Sequence, residues 1–296
     1  MSQRIHVMGI GKMGLPMAQH FRAAGHQVSV SDPSDERLQL ARAQGLMVAQ
    51  GAALTGALGE ADRVFSSLPD DSALTAVAAS VAALARRGTI YVDTSTVSQQ
   101  ASSAAATLLD GAGVQYVRAT VSGNNKMAEA AQLTVMTSGP RAAHEAVLPL
   151  LKLMGPNQFY LGDAEQARLM KLVVNLMIAQ TSAMLSEALA LGRKGGLDWR
   201  DMWQVLSASA VASPILKAKA VQLSERDFTP TFTVHQMIKD LDLILGAGEA
   251  THTPLAQTAL THQLMHAAVA QGDGADDYAA IIKAVERSAG LSTDLE

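Results

Sequence analysis

The 296-residue sequence contains no cysteine, few aromatic residues (4%) and no long basic run, and each scarcity removes a class of function. Without cysteine there are no disulfides, thiolate nucleophiles or cysteine-ligated zinc, a composition that fits a reducing cytoplasm. A formal net charge of −4 leaves no electrostatic footprint for nucleic acid or an anionic membrane surface. No stretch is expected to span a membrane. No signal peptide is expected either, because the apolar run around Ile5 to Met8 is short and leads straight into a glycine turn. The eight histidines show no H-E-x-x-H spacing, so no metal site is expected, and His235, His252, His262 and His266 read as core or surface residues of helices. Scarce aromatics beside abundant Ala, Leu, Val and Met favour helix-rich packing, with the fourteen methionines as core filler. Small-molecule chemistry is what these exclusions leave.

The length points to two domains. Residues 1–162 alternate short β-rich runs (5–10, 27–31, 63–67, 89–93, 114–118, 133–137 and 157–161) with helical stretches such as 15–24, 35–44, 72–84 and 98–109. That rhythm is the pattern of a doubly wound, mostly parallel α/β sheet, a Rossmann domain. From Asp163 the strand signals stop, and Leu169, Leu172, Val173, Leu176, Met177 and Met184 recur at helical spacing. Residues 163–296 therefore read as an all-α domain, joined to the first by a long helix that ends before Gly195-Gly196. Further helices are expected over 198–206, 213–223, 234–250, 254–271 and 278–288.

The strongest motif is Gly9-Ile10-Gly11-Lys12-Met13-Gly14, which fits G-x-G-x-x-G directly after a strand and directly before a helix. The first glycine permits a tight turn, the second lets the backbone approach a pyrophosphate, and the third lets the helix pack on the strand. The helix N-terminus adds donors and partial positive charge for the phosphates. Asp32, at the end of the next strand, is placed to accept bonds from the adenosine ribose and to repel a 2′-phosphate, which favours NAD over NADP. Arg37 nearby softens that preference, so NADP stays admissible.

Taken with Leu68-Pro69, Asp93-Thr94-Ser95-Thr96, Val121-Ser122-Gly123, Lys171 with Asn175, and Lys239-Asp240-Leu241, in that order, the chain resembles the β-hydroxyacid dehydrogenase family. The resemblance covers nearly the whole chain. It implies an active site in the cleft between a Rossmann and a helical domain, and hydride transfer between NAD and a small 3-hydroxy acid or the corresponding semialdehyde. Leu68, Pro69 and Thr96 would lie along the cofactor, together with Lys12 and Met13 of the glycine loop. Ser122 and Gly123 would hold the substrate carboxylate, Lys171 would be the acid/base, and Asn175 would orient the substrate. Phe232 and Lys239 would approach the nicotinamide end, with Asp240 in support. The family's association through its helical domain implies a homodimer or homotetramer.

The chemistry sets its own demands. A lysine near pKa 10.4 in model peptides is protonated, so Lys171 would need a value of roughly 7 to 8, reached through burial and a neighbouring cation such as Lys239. Asn175 follows one helical turn later on the same face. Read without the resemblance, Lys171 and Asn175 are the polar edge of an amphipathic helix, Ser122 a turn hydroxyl and Thr96 a helix N-cap.

Two departures stand out. The substrate loop continues as Asn124-Asn125-Lys126-Met127 where the family carries a second glycine. Amides and a cation there point to a substrate more polar or more anionic than 3-hydroxyisobutyrate, with Asn124 among its contacts; drift in an exposed loop is the alternative. Ala164-Glu165-Gln166-Ala167 replaces the family's glycines ahead of Lys171, which stiffens the start of that helix. An imine reductase of similar architecture, or a catalytically silent dinucleotide-binding sensor, are the competing readings.

Overall fold

The computed structural model describes residues 2–293. Contacts divide the chain into two compact units, the first ending at Lys171 and the second starting at Leu172. The expected boundary after residue 162 falls earlier than this division, because the first turns of the long helix pack within the first unit.

The first unit is built on an eight-stranded sheet: β1 (Arg4–Met8), β2 (Gln27–Ser31), β3 (Met47–Val48), β4 (Arg63–Ser66), β5 (Ile90–Asp93), β6 (Gln115–Ser122), β7 (Thr134–Ser138) and β8 (Asn157–Tyr160). The strand order is β3-β2-β1-β4-β5-β6-β7-β8. Strands β1 to β6 pair in parallel, β7 runs antiparallel to β6, and β8 is parallel to β7. Alternate residues of one strand enter different cores: Ile5 and Val7 join Phe21, Leu38 and Val92, whereas Met8 joins Leu74, Val81 and Tyr91. Burial on both faces is why these strands read as nearly continuous apolar runs.

Helices α1 (Gly14–Ala23), α2 (Asp35–Ala43), α3 (Ala52–Glu60), α4 (Asp71–Leu84), α5 (Gln99–Gly111), α6 (Asn125–Glu129) and α7 (Arg141–Leu151) cover the sheet, and α8 (Gln166–Lys194) comes after it. Ser34, Asp70 and Ser98 accept backbone N–H groups at the starts of α2, α4 and α5, which sets where those helices begin. The two-residue β3 lies below the reach of periodicity. Strand β6 continues past the expected end at 118 because its last residues pair with β7, Ser122 opposite Thr134.

Inside this unit His6 of β1 is fully buried between Ser29 Oγ (2.8 Å) and Ser31 Oγ (2.9 Å) of β2. Burial pushes its pKa down to about 4, so the ring is neutral.

The second unit is helical: α9 (Trp199–Ala208), α10 (Pro214–Leu223), α11 (Val234–Ala250), α12 (Ala256–Ala270) and α13 (Ile281–Ser288), the last preceded by a 3₁₀ turn over Tyr278–Ala280. Its core gathers Leu172, Leu189, Trp203, Leu223, Met237, Leu241 and Ile281. A capping box of Thr233 and Gln236 starts α11. Buried Glu286 is held by Arg193 and Arg226, and buried Asp277 by Lys219 at 2.6 Å.

Two expectations are corrected here. Met47, Met127, Met170, Met177 and Met184 are exposed, so the methionines are not uniformly core filler; the buried face of α8 is instead Arg168, Leu172, Asn175, Ala179 and Ser186. Helix α8, at 29 residues, is also long and apolar enough to cross a membrane by length and composition, contrary to the expectation that no stretch would be. The reason is the same: apolar residues line both the buried and the open face of α8, so the charges at Lys171 and Glu187 do not break its apolar run.

Candidate cofactor and substrate site

The glycine loop begins where β1 ends. Gly9 has φ +82°, and a Cβ there would sit 2.4 Å from the Ser67 carbonyl oxygen. A Cβ on Gly14 would sit 2.0 Å from the Gly9 oxygen. Both glycines are therefore demanded by the fold itself. Gly11 differs, because a Cβ there would meet nothing closer than the Arg37 guanidinium at 3.7 Å. Packing within the chain does not explain it, and its backbone is open to close approach. Helix α1 opens with no side-chain cap at Met13 and no acidic residue in its first turn, leaving its N-terminus fit for phosphate.

Beside this loop lies a cleft of about 540 Å³, lined by Gly9, Asp32, Arg37, Leu68, Pro69 and Val77 among others. It opens at the carboxyl ends of β1, β2 and β4, where the strand order reverses, the usual place for a ligand in a doubly wound sheet. The uncapped α1, the open face of Gly11 and this cleft fit a dinucleotide. The Asp32 side chain is almost wholly buried. Its Oδ2 accepts the Ile10 N–H at 2.8 Å and Arg37 Nη1 at 3.4 Å, and Oδ1 accepts the Ser34 N–H at 2.9 Å. Asp32 thus braces the glycine loop, and the half-exposed Arg37 stands at the cleft beside it.

Leu68 donates its N–H to Ser95 Oγ at 2.8 Å, and Ser95 Oγ donates to Asp93 Oδ1 at 2.6 Å. Thr96 is half-buried after β5, and the N-cap of α5 is Ser98, so Thr96 does not serve as that cap. Asp93 is fully buried and also accepts Ser66 Oγ at 2.5 Å. Its Oδ2 is paired with Arg168 from the first turn of α8.

At the end of β6, Ser122 is half-buried. Gly123 has φ +137°, and a Cβ there would strike Leu133 Cδ2 at 2.7 Å, so the fold requires this glycine too. Asn124 serves its own loop, where its Oδ1 accepts the Met127 N–H at 3.0 Å and caps α6. Asn125 is half-buried and Lys126 exposed.

In the second unit, Asn175 donates its Nδ2 to Asp240 Oδ2 at 2.5 Å, and Lys239 Nζ lies 2.8 Å from Asp240 Oδ1. Asp240 is buried, and an ionised carboxylate only accepts, so the amide of Asn175 must turn its NH₂ toward it. Lys239, expected as the cation beside Lys171, is ion-paired with Asp240. Phe232 precedes α11 and packs edge-on against Tyr278, ring centroids 6.3 Å apart. Lys171 is half-buried, one helical turn before Asn175.

Sequence reasoning passed over Arg168, Arg118 and Glu165. Arg168 stands on the buried stripe of α8, and a cation on a buried helix face requires a partner; that was the available signal. Arg118 pairs with Glu165, Thr120 Oγ1 donates to the Ala167 oxygen at 2.9 Å, and Ser138 Oγ donates to the Ala164 oxygen at 2.7 Å. These bonds tie the start of α8 to the sheet.

Comparison with known proteins matches both parts of the chain to family models. Residues 4–162 match the family model for the NAD binding domain of 6-phosphogluconate dehydrogenase, and residues 166–285 that for the NAD-binding region of NADP-dependent 3-hydroxyisobutyrate dehydrogenase. The chain is 32% identical to 2-(hydroxymethyl)glutarate dehydrogenase of Eubacterium barkeri, over 98% of this chain and 97% of that one. It is 30% identical to L-threonate dehydrogenase of Cupriavidus necator, over 96% of each. A 3-hydroxyisobutyrate dehydrogenase structure from Mycobacterium tuberculosis, with L-serine, superposes with a TM-score of 0.87 at 28% identity, covering 96% of this chain and 99% of that one. The chain belongs to the β-hydroxyacid dehydrogenase family of NAD(P)-dependent oxidoreductases.

Proposed function

We propose that this enzyme interconverts a small 3-hydroxy acid and its semialdehyde, with Lys171 as the acid/base. NAD or NADP, held by the glycine loop and the cleft beside it, would supply the hydride acceptor or donor. In the oxidative direction Lys171, neutral at that moment, takes the hydroxyl proton on Nζ as the carbonyl forms; in the reductive direction it returns that proton. Asn175, held by Asp240 through one Nδ2–H, turns its other N–H toward the reacting oxygen, and Ser122, Gly123 and Asn124 hold the carboxylate. Gly9, Gly11, Lys12, Met13 and Gly14 receive the pyrophosphate, with Asp32, Leu68, Pro69 and Thr96 along the rest of the cofactor. Phe232 and Lys239 are assigned to its nicotinamide end.

The observation that carries this reading is the Asp240-to-Asn175 hydrogen bond, because it orients a buried amide on the helix face that also bears Lys171. The relatives that act on 2-(hydroxymethyl)glutarate and L-threonate by name support a substrate more polar than 3-hydroxyisobutyrate. So does the loop from Asn124 to Lys126. Exposed Met170, Met177, Met184 and Leu191, spaced every seven residues along α8, support association as a homodimer or homotetramer.

The test follows nicotinamide absorbance with NAD and NADP against 2-(hydroxymethyl)glutarate, L-threonate, glycerate and 3-hydroxyisobutyrate. Turnover by the wild type and its loss in Lys171→Ala is the expected result. Equal turnover in the variant would remove Lys171 from the chemistry.

A further inference from the structure

We propose that Arg168 is the positioning residue for Lys171, an assignment that rests on the reading of Lys171 as the acid/base. The guanidinium is entirely enclosed, and its donors are distributed over three elements of the first unit. Nε donates to Ser102 Oγ of α5 at 3.2 Å, and Nη1 donates to the Ser95 carbonyl oxygen at 2.6 Å. Nη2 donates to the Tyr116 hydroxyl of β6 at 2.8 Å and to Asp93 Oδ2. Burial pushes the Tyr116 phenol up to about 12, so it meets Arg168 as a neutral hydroxyl.

A fully buried ion pair is a poor source of stability, since desolvating two charges offsets most of their attraction. What such a fork does supply is geometry, because its donors are rigid and planar. The same network holds the cofactor side. Ser95, gripped through its carbonyl by Arg168, receives the Leu68 N–H on its hydroxyl and stands next to Thr96. One side chain thereby locks the turn that carries Lys171 to the strip assigned to the cofactor. A displacement of about 1 Å in a reacting group costs on the order of 100-fold in rate, so this frame sets how well Lys171 performs.

The variant to make is Arg168→Lys, which keeps a cation for Asp93 but supplies no fork. The substrate is whichever member of the panel above the wild type turns over fastest. NAD binding is followed by titration and folding by thermal unfolding, for Arg168→Lys, Lys171→Ala and the double variant. Because Ser95 Oγ keeps its own bonds to Asp93 and the Leu68 N–H, which hold the cofactor strip without the fork, Arg168→Lys is expected to bind NAD normally and keep its KM, while kcat falls about 10- to 100-fold and the pH-rate profile shifts. The double variant is expected to be no slower than Lys171→Ala alone, because a residue acting only through Lys171 has nothing left to position.

Wild-type kcat in Arg168→Lys beside an inactive Lys171→Ala would overturn the assignment while leaving the acid/base reading intact. Multiplying losses in the double variant would overturn it too. Full activity in Lys171→Ala would sink the reading itself, and the assignment with it. Should Arg168→Lys not fold, Tyr116→Phe removes one partner of the fork and leaves the ion pair; unchanged kcat there overturns the assignment, and a fall absent in the Lys171→Ala background supports it.

Discussion

Acidification should destabilise the first unit through a single buried ring, and the size of the effect is set by the environment of His6. Both ring nitrogens are engaged by serine hydroxyls, and burial lowers the pKa from 6.5 to about 4. The folded value lies below the unfolded one, so between these limits the unfolded chain holds a proton that the native chain refuses. Stability from this source is complete above pH 6.5 and is lost as the pH falls through 6.5 toward 4. At 1.36 kcal/mol per unit the loss amounts to about 3 kcal/mol. That is a large fraction of the stability of a typical domain. The assay is urea unfolding at a series of pH values for wild type and His6→Gln, recorded by far-UV circular dichroism. Tryptophan fluorescence is recorded separately, since Trp199 and Trp203 both lie in the second unit. The difference in unfolding free energy between the two proteins should change by about 3 kcal/mol from pH 7 to 4. Parallel pH dependences in wild type and His6→Gln would refute the reasoning.

The glycine loop separates fold from ligand. Gly14→Ala places a Cβ 2.0 Å from the Gly9 oxygen and should lower the melting temperature sharply, whereas Gly11→Ala, with 3.7 Å to its nearest neighbour, should melt like wild type yet bind NAD at least tenfold more weakly, about 1.4 kcal/mol; normal NAD affinity in Gly11→Ala would show that the loop does not face the pyrophosphate. Asp240→Asn removes the acceptor-only partner of Asn175 and lets that amide turn over. A charge-assisted bond of about 1.5 to 3 kcal/mol predicts a fall of roughly 10- to 150-fold in kcat/KM with NAD affinity unchanged, and a smaller loss than twofold would dissociate Asp240 from substrate orientation.

Much of the fold was legible because its signals are local. Strands β2, β4 and β5 and helices α2, α4 and α5 announce themselves through short runs of β-branched and aromatic residues followed by Ala-rich or charged helical stretches, and in the fold Ser34, Asp70 and Ser98 cap the helix after each run. The two-residue β3 carries too little pattern to be seen. The direction of β7 depends on pairing with β6, which no window of residues 133–137 contains. Lys171 and Asn175 were visible as a spaced pair, and Asp240 as a neighbour in a motif. The bond between Asn175 and Asp240 joins positions 65 residues apart. Asp32 shows the other limit: an acid at the end of β2 reads as a ribose ligand, yet the fold first uses it to brace Ile10, Ser34 and Arg37.

The sequence by itself determined the alternation of strand and helix, the glycine fingerprint at Gly9 to Gly14, the all-helical second half and the order of chemical motifs, because each depends on neighbours within a few turns of backbone. Only the tertiary structure decided which glycines the fold needs and which have open space beside them, which face of α8 is buried, and that Arg168 meets Asp93 across 75 residues. Those outcomes are set by burial: a charge or an amide withdrawn from water must find its partner wherever the chain brings one, however distant in sequence.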